Sequence, residues 1–133
     1  MITNEQVIRV YGINTKDDYF WAPSSYHPML TLFGEVVIQC DEDDYQGDTI
    51  AAIKNGDSYG YLTFGWGSCS GCDALQACNS VSDVTDLAND FYSAIKWFNS
   101  LQELKKFVNT HDYEGDWINK ELVNRFKNEL AGL

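Results

Sequence analysis

Positive charge is what this chain has least of. Nine Lys and Arg stand against twenty Asp and Glu, giving a net charge of −11 at pH 7. A surface of that sign repels nucleic acid and anionic membranes and attracts basic protein surfaces. The basic, aromatic-interleaved stripe of a nucleic-acid binder is missing, because Lys105-Lys106 and the Arg125/Lys127 pair have acidic neighbours. No apolar run approaches the roughly 20 residues of a membrane span. The opening Met1-Ile2-Thr3-Asn4-Glu5 has neither the basic nor the apolar region of a secretory signal, so the expected location is the cytosol. Catalytic signatures are also missing. There is no G-x-S-x-G, no phosphate loop, no H-E-x-x-H and no dinucleotide fingerprint. The two histidines, His27 and His111, lie far apart in loop-like surroundings and read as exposed loop residues; the alternative is a base working on a cysteine. An enzyme is therefore not expected.

What is present is a chain able to fold. Its 133 residues fit one domain, residues 1–133, and 44% apolar composition argues against disorder. A core of that size does not need disulfides, and in the cytosol they rarely persist. Four cysteines then favour metal or redox chemistry.

Three of the four are spaced C-x2-C-x5-C after an aromatic, β-prone run, in Gly65-Trp66-Gly67-Ser68-Cys69-Ser70-Gly71-Cys72 and on to Cys78. Residues 29–40 read as a first strand with Gly34 as a bulge or break, and residues 49–54 as a second. Asn55-Gly56 is the strongest short hairpin signal, because both central residues of a type I′ turn need positive φ. Residues 58–66 read as a third strand. Strands one and three of such an antiparallel meander run the same way, so Cys40 and Cys69 are expected at the same end of the sheet, beside the acidic loop Asp41-Glu42-Asp43-Asp44-Tyr45-Gln46-Gly47-Asp48.

The flanks are more helical. Residues 3–11 suit either a helix, with a Thr3/Gln6 capping box and Gly12 at its end, or a strand around Val7-Ile8-Arg9-Val10-Tyr11. Pro23 and Pro28 mark residues 12–28 as irregular. The aromatics there, Tyr19, Phe20, Trp21 and Tyr26, read as cover for the core, with a sticky surface used for self-association as the alternative. Val84, Leu87, Ala88, Phe91 and Ile95 form a helical stripe, with Ser82 as its N-cap and Asp83 and Asp86 in its first turn. Residues 95–98 suit a short strand between helices. Ser100-x-x-Glu103 opens a helix with Leu101, Leu104, Phe107 and Val108 inward. Asp116 is read as the cap of a last helix carrying Ile118, Leu122, Val123, Phe126 and Leu130. The expected fold is α+β: a three-stranded antiparallel meander followed by C-terminal helices, with a cysteine metal knuckle at one sheet end.

For the cysteines the leading reading is structural zinc, held by Cys40, Cys69, Cys72 and Cys78. C-x2-C grips an ion from a tight turn, and Gly65, Gly67 and Gly71 supply backbone freedom. His27, His111 and Asp73 are the substitute ligands. The alternative is a thiol-redox pair, Cys69-x-x-Cys72, with Cys69 as the reactive thiol; the missing βαβ context and the surrounding acids, which raise thiol pKa values, count against it. An iron–sulfur cluster on the same four sulfurs, or cysteines serving as small core residues, are the remaining readings. The acidic loop does not meet the spacing of an EF-hand and reads as solvated.

The charge is segregated. Residues 35–90 carry eleven acids against Lys54 alone, whereas residues 91–133 carry six of each sign. The phrase Gly67-Ser68-Cys69-Ser70-Gly71-Cys72-Asp73 resembles a cysteine-rich loop in small phage and prophage proteins. The short, acidic, aromatic-rich profile around it is similar to phage-encoded inhibitors of bacterial defence, including anti-CRISPR proteins. The resemblance implies action in the cytoplasm of a bacterial host, against a basic target such as an RNA-guided nuclease, whose nucleic-acid channel is positively charged. The carboxylates expected to meet such a target are Asp41, Glu42, Asp43, Asp44, Asp48 and Asp57, with Asp83, Asp86 and Asp90 as a second set.

Overall fold

Gly56 adopts φ 61°, the left-handed region that a side chain disfavours and glycine tolerates. The chain reverses there, and a sheet grows from the reversal. In the computed structural model, which describes residues 1–133, four strands form one antiparallel sheet in chain order: β1 (Glu35–Asp41), β2 (Gly47–Asn55), β3 (Ser58–Trp66) and β4 (Lys96–Phe98). The three expected strands are therefore joined by a fourth, the short segment around Trp97, which pairs with Tyr59–Tyr61 of β3. The first strand is shorter than the expected span of 29–40. His27–Leu30 is a helical turn with Pro28 in its first turn, where the missing N–H costs nothing. Gly34, at φ 151°, then brings the backbone so close to β2 that a Cβ would lie 2.5 Å from the Lys54 carbonyl oxygen.

Five helices cover the sheet: α1 (Asn4–Tyr11), α2 (His27–Leu30), α3 (Val81–Ala94), α4 (Leu101–Thr110) and α5 (Lys120–Ala131). The ambiguity at residues 3–11 resolves to helix, because Thr3 and Gln6 complete the reciprocal capping box and Gly12 turns left-handed at the C-terminus. Two caps differ from expectation. Ser80, not Ser82, accepts from the Asp83 amide and opens α3. Asn119, not Asp116, caps α5 through the amides of Glu121 and Leu122; the Asp116 carboxylate is occupied by His111 at 2.7 Å. Ser100 caps α4 as its spacing predicts.

The core has two halves, and the pleat of β2 divides them. Ala51 and Ile53 face one way, with Val7, Met29, Leu30, Phe33, Val84 and Ala88. Ile50 and Ala52 face the other, with Ile38, Leu104, Val108, Leu122, Phe126 and Leu130. Successive strand residues alternate in direction, so α1–α3 cover one face and α4–α5 the other. Full burial of each of these larger aliphatic or aromatic side chains is worth about 1.5–3 kcal/mol. Of the expected aromatic cover, Tyr26 is buried and Phe20 packs against the core, while Tyr19 and Trp21 are exposed. No helix is long and apolar enough to cross a membrane.

Candidate functional site

With both sheet faces covered, the free surface lies at the strand ends. At one end β1 leaves into the acidic loop and β3 leaves into the cysteine loop. The register sets this: Asp48 pairs with Gly65 and Gly47 with Trp66, while Cys40 pairs with Ile50. The two loops border a polar cleft of about 320 Å³, lined by Gln39, Asp41, Glu42, Thr49, Trp66 and Asp73 among others.

The acidic loop is built by its own side chains. The Glu42 amide donates to the Asp48 carbonyl at 3.0 Å, and the Asp48 amide returns a bond to Glu42 Oε1 at 3.1 Å. Glu42 folds so tightly over Gly47 that a Cβ there would lie 2.8 Å from its own Cβ. Asp41 accepts from the Thr49 hydroxyl, and Thr49 Oγ1 accepts from Trp66 Nε1 at 2.9 Å. The Gln39 amide nitrogen sits 3.3 Å from both Asp41 carboxylate oxygens, and His27 Nδ1 contacts Gln39 Oε1 at 2.6 Å. Asp43 and Asp44 are exposed on the rim. Asp57 is not part of this group: it sits in the β2–β3 turn, at the opposite end of the sheet. Asp83, Asp86 and Asp90 lie exposed along α3, with Asp83 tied to the Asn79 amide at 2.9 Å.

The cysteine loop hangs on Asp73, which is only 4% exposed. Its Oδ1 accepts from the Tyr26 hydroxyl at 2.8 Å and from the Gly67 amide at 3.1 Å. Its Oδ2 accepts from the Gln76 amide at 3.0 Å. Gln76 Nε2 in turn donates to the Gly67 carbonyl at 3.0 Å, and the Tyr26 oxygen accepts from the Leu75 amide at 3.2 Å. Both ends of the loop are thereby clamped. Burial and the carboxylate partner push the Tyr26 hydroxyl well above its ordinary pKa.

Between the clamps, Cys69 and Cys72 are exposed and their sulfurs stand 2.6 Å apart. The Cys69 amide donates to Cys72 Sγ at 3.1 Å. The Cys69 thiol is the largest influence lowering the Cys72 pKa, helped by the amides of Cys69 and Ser68. The surrounding acids were expected to raise thiol pKa values here. At Cys72 these short-range donors to sulfur outweigh that expectation and lower the pKa instead.

The four sulfurs expected to hold zinc do not converge. Cys40 belongs to the core half under α4 and α5, and Cys78 to the half under α1–α3. Sharing a sheet end brings Cys40 level with the cysteine loop but not to its face: β2 lies between β1 and β3, two strand spacings make roughly 9–10 Å, and the Cys40 side chain points toward α5. There it donates to Glu129 Oε2 at 2.5 Å; burial first, and the carboxylate second, push the thiol up to about 12. Cys78 contacts the Ala74 carbonyl at 3.4 Å, and burial raises its pKa. Nor do the substitutes join: His27 is bonded to Gln39, His111 to Asp116, and Asp73 to Tyr26, Gly67 and Gln76. No group of three or more His, Cys, Asp or Glu is placed to hold a metal ion.

Sequence reasoning named Asp73 only as a spare ligand and missed its role as anchor, together with Tyr26, Gln76 and Trp66. One local signal was available: an Asp three residues before Gln76, where its side chain can accept a backbone amide as a cap does. The partner Tyr26, 47 residues away, has no such signature. Compared with protein-family models, curated proteins and solved structures, the chain matches none.

Proposed function

We propose that this is a non-enzymatic binding protein whose acidic sheet end docks on a basic protein surface, and that a phage-encoded antagonist of a bacterial RNA-guided nuclease is the best-fitting identity. The observation carrying this reading is the lack of internal neutralisation. The single ion pair of the fold joins His111 to Asp116; no Lys or Arg is spent on any of the twenty carboxylates. Arg125 lies beside the acidic loop, donating to the Asp41 carbonyl at 2.9 Å and bordering Glu42, Asp43 and Asp44. It forms no ion pair with them, which leaves their charge available to an outside partner. Two carboxylates, Asp41 and Glu42, border the cleft between the two loops, with the buried and fully hydrogen-bonded Asp73 behind them, and no Lys or Arg lines it. A guanidinium or ammonium from a basic partner suits that lining, since the cleft offers oxygen acceptors and the indole of Trp66. Asp43 and Asp44 on the rim would steer the approach.

The test is binding to a purified RNA-guided nuclease, followed by interferometry at low and high salt and by target-DNA cleavage. Asp43→Lys with Asp44→Lys is expected to lower the association rate at least tenfold at low salt and to leave the melting temperature within a few degrees, because neither side chain supports the sheet. Asp57→Lys, at the far end, should change the rate by less than threefold. Equal effects of the two variants, or no salt dependence, would remove the acidic loop from the interface.

A further inference from the structure

We propose that Cys69 and Cys72 form a thiol–disulfide couple that reduces low-molecular-weight disulfides, with Cys72 as the attacking sulfur and Cys69 as the resolving one. Three separate features of the structure support the assignment.

The first is proximity in a fixed frame. The sulfurs are 2.6 Å apart, and the turn that holds them is closed by the Cys72 amide on the Cys69 carbonyl at 3.1 Å. Asp73 and Gln76 hold the loop on both sides of the pair. Resolution by the second thiol is then an intramolecular event between groups already positioned.

The second is the asymmetry of the two sulfurs. Cys72 Sγ receives the Cys69 amide at 3.1 Å and lies against Gly67 so closely that a Cβ at Gly67 would be 2.7 Å from it. Gly67 is buried, so the missing side chain is what makes room for the sulfur. Cys69 has no comparable seat. Hydrogen bonds to sulfur favour its anionic form, and the lowered pKa of Cys72 agrees with the geometry.

The third is access. Ser68, Cys69, Ser70, Gly71 and Cys72 are all exposed, and the residues before and between the two thiols are small, which leaves an approach for a disulfide. The other two thiols are buried and serve as internal references.

The chemistry balances as follows. The Cys72 thiolate attacks one sulfur of a disulfide RSSR, forming Cys72–S–SR and releasing RS⁻. Cys69 loses its proton to solvent, and its thiolate attacks the Cys72 sulfur. The Cys69–Cys72 disulfide forms and the second RS⁻ leaves. Two protein thiols are oxidised, and one disulfide is reduced to two thiols.

The experiment uses the full chain in chelator, equilibrated with glutathione and glutathione disulfide from fully reduced to fully oxidised mixtures, then acid-quenched, alkylated and weighed. The expected result is loss of two alkylatable thiols of four, with a Cys69–Cys72 cross-link in the peptide map and Cys40 and Cys78 still free. Cys69→Ser should accumulate one glutathione adduct at position 72, and Cys72→Ser should react at least tenfold more slowly. Four thiols persisting across the whole series would overturn the proposal, and so would equal adduct rates in the two variants. Far-UV circular dichroism checks that both variants fold; if either does not, the wild-type thiol count and cross-link decide alone.

Discussion

Replacing Asp73 by Asn tests the account of the cysteine loop at its anchor. The change keeps shape and Oδ1 but removes the charge and turns Oδ2 into an NH2 group. That group would face the Gln76 amide, now 3.0 Å from Oδ2, donor against donor. One hydrogen bond is lost with a buried donor left unsatisfied, a cost of about 1–3 kcal/mol. The bonds from the Tyr26 hydroxyl at 2.8 Å and the Gly67 amide at 3.1 Å survive but pass from charged to neutral acceptor, which costs roughly 0.5–1 kcal/mol each. Relief from burying a charge in a site only 4% exposed works the other way. The net expectation is about 2–3 kcal/mol of destabilisation. Urea unfolding followed by tryptophan fluorescence measures it, with Trp66 adjoining Gly67 as a local reporter. At a slope of about 1–3 kcal/mol per molar urea, the midpoint should fall by roughly 1–2 M with the slope unchanged. Tyr26→Phe supplies the second arm of a cycle, and a coupling of about 0.5–3 kcal/mol is expected between the two changes. A shift in Asp73→Asn smaller than about 0.5 kcal/mol, typical of an ordinary surface change, would refute the clamp.

Alkaline pH should destabilise the chain progressively from about pH 9 upward. Cys40 retains its proton in the native state up to about 12, against an ordinary value of 9.0. Between these values the unfolded chain binds fewer protons than the native one, so stability is fully present below pH 9 and falls as pH rises, by at most about 1.4 kcal/mol per pH unit from this group; Tyr26 and Tyr61, raised by burial, extend the loss upward. Urea midpoints at pH 8, 9.5 and 10.5 check this, and Cys40→Ala should flatten the first interval; a flat profile in the wild type would contradict it. Gly67→Ala should cost about 1–3 kcal/mol by overpacking, because its Cβ would lie 2.6 Å from the Cys72 carbonyl oxygen. Thermal melting reads this as a drop of several degrees, and an unchanged melting temperature would show that the loop gives way freely.

Local signals were legible where one side chain and its own backbone settle the outcome. Thr3 with Gln6 and Ser100 with Glu103 each specify a cap within four residues, and each cap forms. Asn55-Gly56 marks the reversal, but the turn sits one residue later than expected, with Gly56 and Asp57 between the paired Asn55 and Ser58 and only Gly56 at positive φ. Errors came where two equivalent groups competed. Ser80 and Ser82 both suit a cap, and it is Ser80 that accepts from the Asp83 amide, so the helix begins two residues earlier than read. Asp116 is not the α5 cap, since the helix starts at Lys120 and Asn119 stands at the cap position, while the Asp116 carboxylate meets His111. The four sulfurs lie apart for a different reason. Strand order gives the end of the sheet on which a residue lies, but its face depends on register. In β1 that register is shifted by a bulge at Val37, where Val36 pairs with Ile53 and Ile38 already pairs with Ala52. An extra residue reverses the alternation. Val36 packs on the α1–α3 side, while Ile38 and Cys40 pack on the other.

The burial of β2 explains where the proposed docking surface has to lie. Thr49 through Ile53 are buried without a break, which requires cover on both faces of the strand. The five helices supply that cover, so their apolar stripes are committed to the core. The hairpin end at Gly56 is a tight turn with a single carboxylate, Asp57. At the other end β1 and β2 are joined by a loop with Asp43 and Asp44 outward, and β3 runs into a clamped turn with two exposed thiols. Asp57 thus lies at one end of the sheet and Asp83, Asp86 and Asp90 along α3, while Asp43, Asp44 and the two exposed thiols share the other end. The clamp on Asp73 uses a buried carboxylate to position this edge, whereas the carboxylates of the rim are left unpaired. A chain selected only for solubility needs neither the clamp nor the segregation; a chain that must present a rigid negative edge to a cationic surface needs both.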